Sequence, residues 1–164
     1  MGEHALQEPA DHYSPTPTSH SSTGSFITTV DDLVLLAKPS YVDFWSFPGG
    51  VLEPGEAPHV GCARETAEEL GLRLPVGPLL VVDWSPASRR RALPVLYFMF
   101  DLGTVDRAVS ITMMPDEIDD YAFLEAAEAA RCLPPPAARR LFACIEARRT
   151  GRTVYLPAGA TPAR

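Results

Sequence analysis

The sequence predicts a layered α/β domain built on a mixed sheet. Short apolar, β-branched runs alternate along it with segments of helical period, the pattern of a sheet covered by helices. The stretch from Gly49 to Leu72, GGVLEPGEAPHVGCARETAEELGL, sets a glycine pair, a short loop and a helical segment in succession. A length of 164 residues with 46% hydrophobic content suits one core. The expected division is one domain over residues 24–157, between tails at 1–23 and 158–164.

Met1 to about Thr23 is rich in Pro, Ser, Thr and His and has hardly any large aliphatic residue, so it is expected to be a disordered tail. Its histidines, His4, His12 and His20, lack metal-ligand spacing. Ser25 to Val30 and Leu33 to Lys38 flank Asp31-Asp32 and predict a hairpin. In the aromatic segment Tyr41 to Phe47, Trp45 and Phe47 alternate like inward residues of a strand, and both are assigned to core packing.

Leu79 to Trp84 and Leu93 to Phe100 read as strands joined by SPASRRRA. Glu117 to Leu124 reads as a further strand, and Glu125 to Cys132 as a short helix stopping before Pro134, Pro135 and Pro136. Ala137 to Arg149 fits a helix with Leu141, Phe142 and Ile145 on one side and arginines on the other. From about Ala158 the chain is expected to be loose.

Between Gly49 and Leu72, Pro58 suits a first helical turn and Gly71 the residue after a helix end. His59 fits a polar first-turn position. On that helix Glu65, Glu68 and Glu69 fall within an arc of about 100°, with Val60, Ala63, Ala67 and Leu70 on the opposite, packing side. A solvated acidic face is the plain alternative. Three carboxylates on one arc repel, however, and the spacing is worth keeping if a hard divalent cation with oxygen ligands sits among them. Mg²⁺ is the natural candidate, with Mn²⁺ as a substitute, and such an ion also takes phosphate oxygens. The glycine pair lets the backbone approach a metal or a phosphate.

This stretch resembles the box of the Nudix hydrolases: Gly, five residues, Glu, seven residues, Arg-Glu, an aliphatic, any residue, Glu-Glu, any residue, Gly, an aliphatic. The chain supplies Gly50, Glu56, Arg64, Glu65, Glu68, Glu69, Gly71 and Leu72 at that spacing, with Thr66 in the first aliphatic slot. At roughly 5% usage per residue type, seven fixed positions coincide by chance about once in a billion starts. The similarity extends through Trp45, Phe47 and Pro48, and the order of elements is similar from about Ser25 to about Gly151.

The resemblance implies an α/β/α sandwich of Nudix type and Mg²⁺-dependent hydrolysis of a nucleoside diphosphate linked to another group. It implies Glu68 and Glu69 as main metal ligands, Glu65 as a third ligand or general base, and the Gly49 carbonyl as a main-chain ligand. Glu56 and Arg64 would form an ion pair bracing the loop beside Gly50, with Arg64 counted among the catalytic set. In some members a further acid precedes an aromatic core residue by six positions, which matches Glu117 before Phe123; the neighbouring Asp116, Asp119 and Asp120 leave a solvated turn as the alternative. Arg89, Arg90 and Arg91 are either a solvated loop tip or a grip on substrate phosphate.

Several alternatives stay open. A nucleoside triphosphate pyrophosphohydrolase is the nearest. A non-catalytic nucleotide-sugar sensor would not need every glutamate, and an isomerase of prenyl diphosphates would need a catalytic cysteine, for which Cys62 is the available residue. Pro86, 14 residues past Leu72, stands one residue short of where ADP-sugar hydrolases of the family carry a proline, a resemblance that weakly favours an ADP-sugar-like substrate.

A formal net charge of −7 argues against a binder of long nucleic acid. Cys62, Cys132 and Cys144 form no CxxC pair and fit reduced thiols of a cytoplasmic protein. Nothing approaches the ~20 apolar residues of a membrane span. The expected partner is a small nucleotide substrate, and a homodimer is compatible with the sequence.

Overall fold

A computed structural model describes residues 18–89 and 91–157. Strand β1 spans His20–Thr29 and β2 Val34–Pro39. Helix α1 spans Pro58–Leu70, β3 Leu79–Ser85, β4 Val95–Val105 and β5 Ile118–Leu124. Helices α2 (Ala126–Cys132) and α3 (Pro135–Thr150) precede β6 (Val154–Pro157). The six strands form one sheet in the order β5-β2-β1-β4-β3-β6. The β1/β4 and β3/β6 pairs are parallel and the other pairs antiparallel, so the sheet is mixed.

Successive side chains of a strand point to opposite faces, and the sheet builds two cores in that way. Phe26, Val34, Leu36 and Met99 face Leu141, Cys144 and Ala147 of α3. Ile27, Leu35, Ala37 and Phe100 face Cys62 and Leu70 of α1. One helix therefore covers one face and two cover the other, the α/β/α arrangement that the resemblance implied.

Several expectations need correction. The first strand begins at His20, inside the stretch 1–23 expected to be tail, and pairs from His20 and Val95 onward with β4. Ser22, Thr23, Gly24 and Ser25 hide the strand from a hydrophobicity reading. Two of the hydroxyls are satisfied internally: Thr23 Oγ1 donates to the Phe98 carbonyl at 3.3 Å and Ser25 Oγ to the Pro48 carbonyl at 3.2 Å. Residues 1–17, with His4 and His12, and the expected tail at 158–164 lie outside the described residues.

Tyr41 to Phe47 is not a strand. It touches the sheet through one bridge, Ala37 to Ser46, which buries Phe47 and leaves Trp45 partly covered against the core. Helix α3 takes Pro135 and Pro136 into its first turn, where the missing N–H groups have no helical acceptor to lose. Its buried face is Ala137, Leu141, Cys144 and Ala147, whereas Phe142 and Ile145 are exposed. The small side chains let Arg140 and Arg148 of α3 reach the sheet, so the arginines are not all on the outer side.

Candidate active site

Helix α1 starts at Pro58 and ends on Gly71, which takes the left-handed conformation with φ 68° and donates its N–H to the Ala67 carbonyl. The face turned to the sheet carries Cys62, Thr66, Glu69 and Leu70, while Val60 is 49% exposed and Ala63 and Ala67 are half-buried. The expected packing side is thus displaced round the helix. An acid, Glu69, is drawn inward because a partner waits there. The Gly49 N–H donates to Glu69 Oε2 at 2.8 Å.

That donor is held by β1. Thr23 N–H bonds the Gly50 carbonyl, Ser25 N–H the Pro48 carbonyl and Leu52 N–H the Ser21 carbonyl, so residues 48–52 lie along the strand. Gly49 is required by space, and a side chain at Gly50 would displace the Glu65 carboxylate. At Gly49, φ is 141° and a Cβ would collide with the Thr23 carbonyl oxygen. A Cβ on Gly50 would stand 2.5 Å from Glu65 Oε1. The Gly49 carbonyl receives no hydrogen bond among the described residues.

Arg64 joins the loop to the helix. Its Nε and Nη2 donate to the two oxygens of Glu56, each at 2.9 Å, and its Nη1 to Glu65 Oε1 at 3.0 Å and Glu68 Oε2 at 2.9 Å. With the Glu53 N–H also donating to it, Glu56 is held down to about 2, chiefly by Arg64. The paired fork of a guanidinium on a carboxylate fixes orientation as well as charge.

Glu69 is 6% exposed, and burial lifts its carboxyl to about 8. The Gly49 N–H works against that lift, and the charges of Glu65, Glu117 and Glu68 add to it. Glu65 is raised as well, first by burial, with Arg64 opposing and Glu68 and Glu117 adding. Glu68 is exposed. Glu117 lies in the turn before β5, and two backbone bonds explain its arrival there: Thr112 N–H to the Leu70 carbonyl and Met114 N–H to the Glu69 carbonyl. The Met114 carbonyl in turn accepts the Glu117 N–H. The end of α1 thereby carries the turn whose acid acts on its own glutamates. Asp119 and Asp120 are exposed on β5.

Glu65, Glu68, Glu69 and Glu117 are therefore brought into one neighbourhood, with Gly49 and Gly50 against it. As placed, no three His, Cys, Asp or Glu side chains among the described residues converge tightly enough to enclose a metal ion. Arg64 supplies the cation between Glu65 and Glu68.

The arginine loop stands apart. Arg89 is exposed, Arg90 lies outside the described residues, and Arg91 folds back to donate to the Leu93 carbonyl at 3.0 Å and the Pro86 carbonyl at 2.9 Å. Arg91 and Pro86 line a cleft of about 520 Å³ that also borders Phe44, Trp45, Phe47 and Tyr97. Its floor carries a pair that the sequence reading missed: Arg140 Nη1 donates to Asp83 Oδ2 at 2.9 Å. A lone acid inside the apolar run LLVVDWS was the available signal, because a charge in a buried strand needs a partner. Cys62 is fully buried and its thiol is pushed up to about 11, mainly by desolvation, which removes it as a nucleophile.

The NUDIX domain model matches residues 18–146. A MutT-like protein of Streptomyces ambofaciens is 29% identical over 120 residues, covering 70% of this chain and 76% of that one. Diphosphoinositol polyphosphate phosphohydrolase 2 of Rattus norvegicus is 42% identical over 50 residues, covering 30% of this chain and 28% of that one, so the likeness spans under a third of that relative's length. The fold is similar to the crystal structure of a UDP-X diphosphatase, with TM-score 0.68 and 22% identity over 90% of this chain and 72% of that one. No described helix is long and apolar enough to cross a membrane. With the family model running through the sheet, the glutamate helix on one face and most of the helical cover on the other, this chain belongs to the Nudix family and is a hydrolase.

Proposed function

We propose that this hydrolase cleaves a phosphoanhydride bond in a nucleoside diphosphate linked to a second moiety, in the cytoplasm, with Mg²⁺ as its ion and Mn²⁺ as a substitute. The observation that carries this reading is the crowding of carboxylates round Glu65 and Glu69, both raised first by burial and then by the charges of Glu68 and Glu117, beside a cleft large enough for an appended group. Such a donor set suits a hard cation. It is all oxygen, it is over-charged without an added positive ion, and the unbonded Gly49 carbonyl completes it. Glu68, Glu69 and the Gly49 carbonyl would hold the ion, with Glu117 contributing from the opposite turn.

When bound, the ion supplies neutralisation of phosphate charge and makes water more acidic. Glu65, pressed against Gly50 and tethered by Arg64, shares the ion or takes the proton of the attacking water. Glu56 and Arg64 keep the loop on the helix, so the carboxylates are set before substrate arrives. The UDP-X diphosphatase of similar fold supports a diphosphate-linked substrate, and Pro86 on the cleft wall fits the weak ADP-sugar hint. The similar fold of the E. coli dihydroneopterin triphosphate pyrophosphohydrolase, at TM-score 0.64 and 20% identity over 74% of this chain, supports the second reading, a nucleoside triphosphate pyrophosphohydrolase.

A panel of ADP-ribose, UDP-glucose and the common nucleoside triphosphates, assayed with Mg²⁺ and Mn²⁺, separates the two. The diphosphate derivatives should yield a nucleoside monophosphate at the higher kcat/KM. Faster cleavage of triphosphates would install the second reading, and no cleavage of any member would defeat both.

A further inference from the structure

The cleft beside the glutamates contains a cation that the proposed chemistry does not use. Arg140 projects from the first turns of α3, and its guanidinium lies 4.1 Å over the Tyr97 ring. Its side chain is 12% exposed and that of its partner Asp83 is 4% exposed. Among the described residues only Nη1 makes a hydrogen bond. Nε is buried without a hydrogen-bond partner, and the Nε–Nη2 edge bonds no acceptor among the described residues. That edge is the one a guanidinium offers to the paired oxygens of a carboxylate or a phosphate.

The setting favours an anion. In a chain of net charge −7, this cleft collects Arg91, Arg139 and Arg140 against a single acid, Asp83. Among the described residues Arg91 bonds only carbonyl oxygens and no carboxylate. Asp83 and the Tyr97 face hold the Arg140 plane fixed, so little freedom remains to be lost when a ligand arrives. The position is also suitable. Phe47 and Tyr97 border the cleft where it meets the site: Phe47 leads through Pro48 into Gly49, and Tyr97 feels the charges of Glu69 and Glu65.

We propose that Arg140 is a specificity-determining residue, its unpaired Nε–Nη2 edge gripping an anionic group, carboxylate or phosphate, on the part of the substrate beyond the cleaved phosphoanhydride. This rests on the reading of the chain as a hydrolase of diphosphate-linked nucleotides. The competing role is a brace, with the Asp83–Arg140 pair doing no more than fastening α3 to β3.

Two matched pairs of probes decide it: UDP-glucuronate against UDP-glucose for a carboxylate, and ADP-ribose phosphorylated on its terminal ribose against ADP-ribose for a phosphate. Binding is measured by calorimetry with divalent ions chelated, and kcat/KM with Mg²⁺. The wild type should bind the anionic member of one pair at least about tenfold more tightly, and the responding pair identifies the anion. Arg140→Lys keeps the charge and loses the fork, so the preference should fall toward unity through KM. Asp83→Asn leaves Arg140 its charge, so the preference should persist even where Tm drops. Equal binding within both pairs by the wild type overturns the proposal. So does a lowered Tm with an unchanged preference in Arg140→Lys, the signature of a brace. Preferential binding without hydrolysis of any probe strikes the hydrolase reading and leaves the anion grip standing; hydrolysis without preference does the reverse.

Discussion

At Glu69 two effects oppose each other: burial disfavours the ionised carboxylate, and the Gly49 N–H favours it. Glu69→Gln keeps the size and an acceptor oxygen but removes the charge that the proposed ion needs. The variant should fold and lose at least ~10²-fold in kcat; near-normal turnover by a folded variant would release Glu69 from the site. Glu56 makes a different prediction, about acid stability. Its carboxyl lies near 2 in the folded chain against an ordinary 4.5, so the folded state binds the proton less readily than the unfolded one. Its contribution is then fully present above 4.5 and is lost as pH falls toward 2. Titrating thermal stability from pH 6 to pH 2 should show Glu56→Gln less stable than the wild type at pH 6 and a narrowing gap below 4.5. A constant gap would mean that the loss is one of packing.

Helix α3 is fastened to the sheet at two points eight residues apart, Arg140 on Asp83 and Arg148 on Asp101. Arg148 makes the denser set, with Nε and Nη2 on the two oxygens of Asp101, Nη1 on Thr28 Oγ1 at 2.8 Å, and its guanidinium 4.3 Å over the Phe26 ring. Arg148→Met keeps the stem and strands a partly buried Asp101, so it should cost roughly 2–3 kcal/mol and lower Tm by about 5–10 °C. A melting curve superposable on wild type would show the anchor to be ornamental. This element also marks where sequence reading fails. A helical wheel set Leu141, Phe142 and Ile145 on one side; Leu141 is indeed buried, yet the rest of the packing face is Ala137, Cys144 and Ala147 and leaves Phe142 and Ile145 exposed, since close approach to the sheet favours small residues and lets arginines pass. The glutamate helix was readable to the residue at both ends because Pro58 and Gly71 act through local backbone geometry. The early half of β1 was not, because Ser22 to Ser25 find their hydrogen bonds in strands and loops far along the sequence.

On the scale of the whole molecule, the apolar cores on both faces of the sheet involve the glutamates only at their margin. Chelating divalent ions should therefore abolish hydrolysis while far-UV circular dichroism stays native. Restoring Mg²⁺ at about a hundredfold over its Kd should add about 2.7 kcal/mol of apparent stability, seen as a rise in Tm. Unfolding on chelation would show that the ion builds the fold instead of occupying it. The proposed ion set was readable where it lay in one helix, at Glu65, Glu68 and Glu69. The cleft was not, because Asp83, Arg91 and Arg140 meet only through the strand order.

The pairing of β1 with β4 bears on how the protein is made. During synthesis the glutamate helix emerges ahead of β4, so the flank of β1 that β4 fills cannot be paired until Val95 to Val105 has left the ribosome. Thr23 and its acceptor Phe98 are separated by 75 positions, a closure that is slow compared with local turns. A nascent chain halted before β4 would thus display its acidic helix over a half-built floor, with an unpaired strand edge open to neighbouring chains. Escape from that exposure should come when β4 slots between β1 and β3, before the Glu117 turn arrives to complete the proposed ion set.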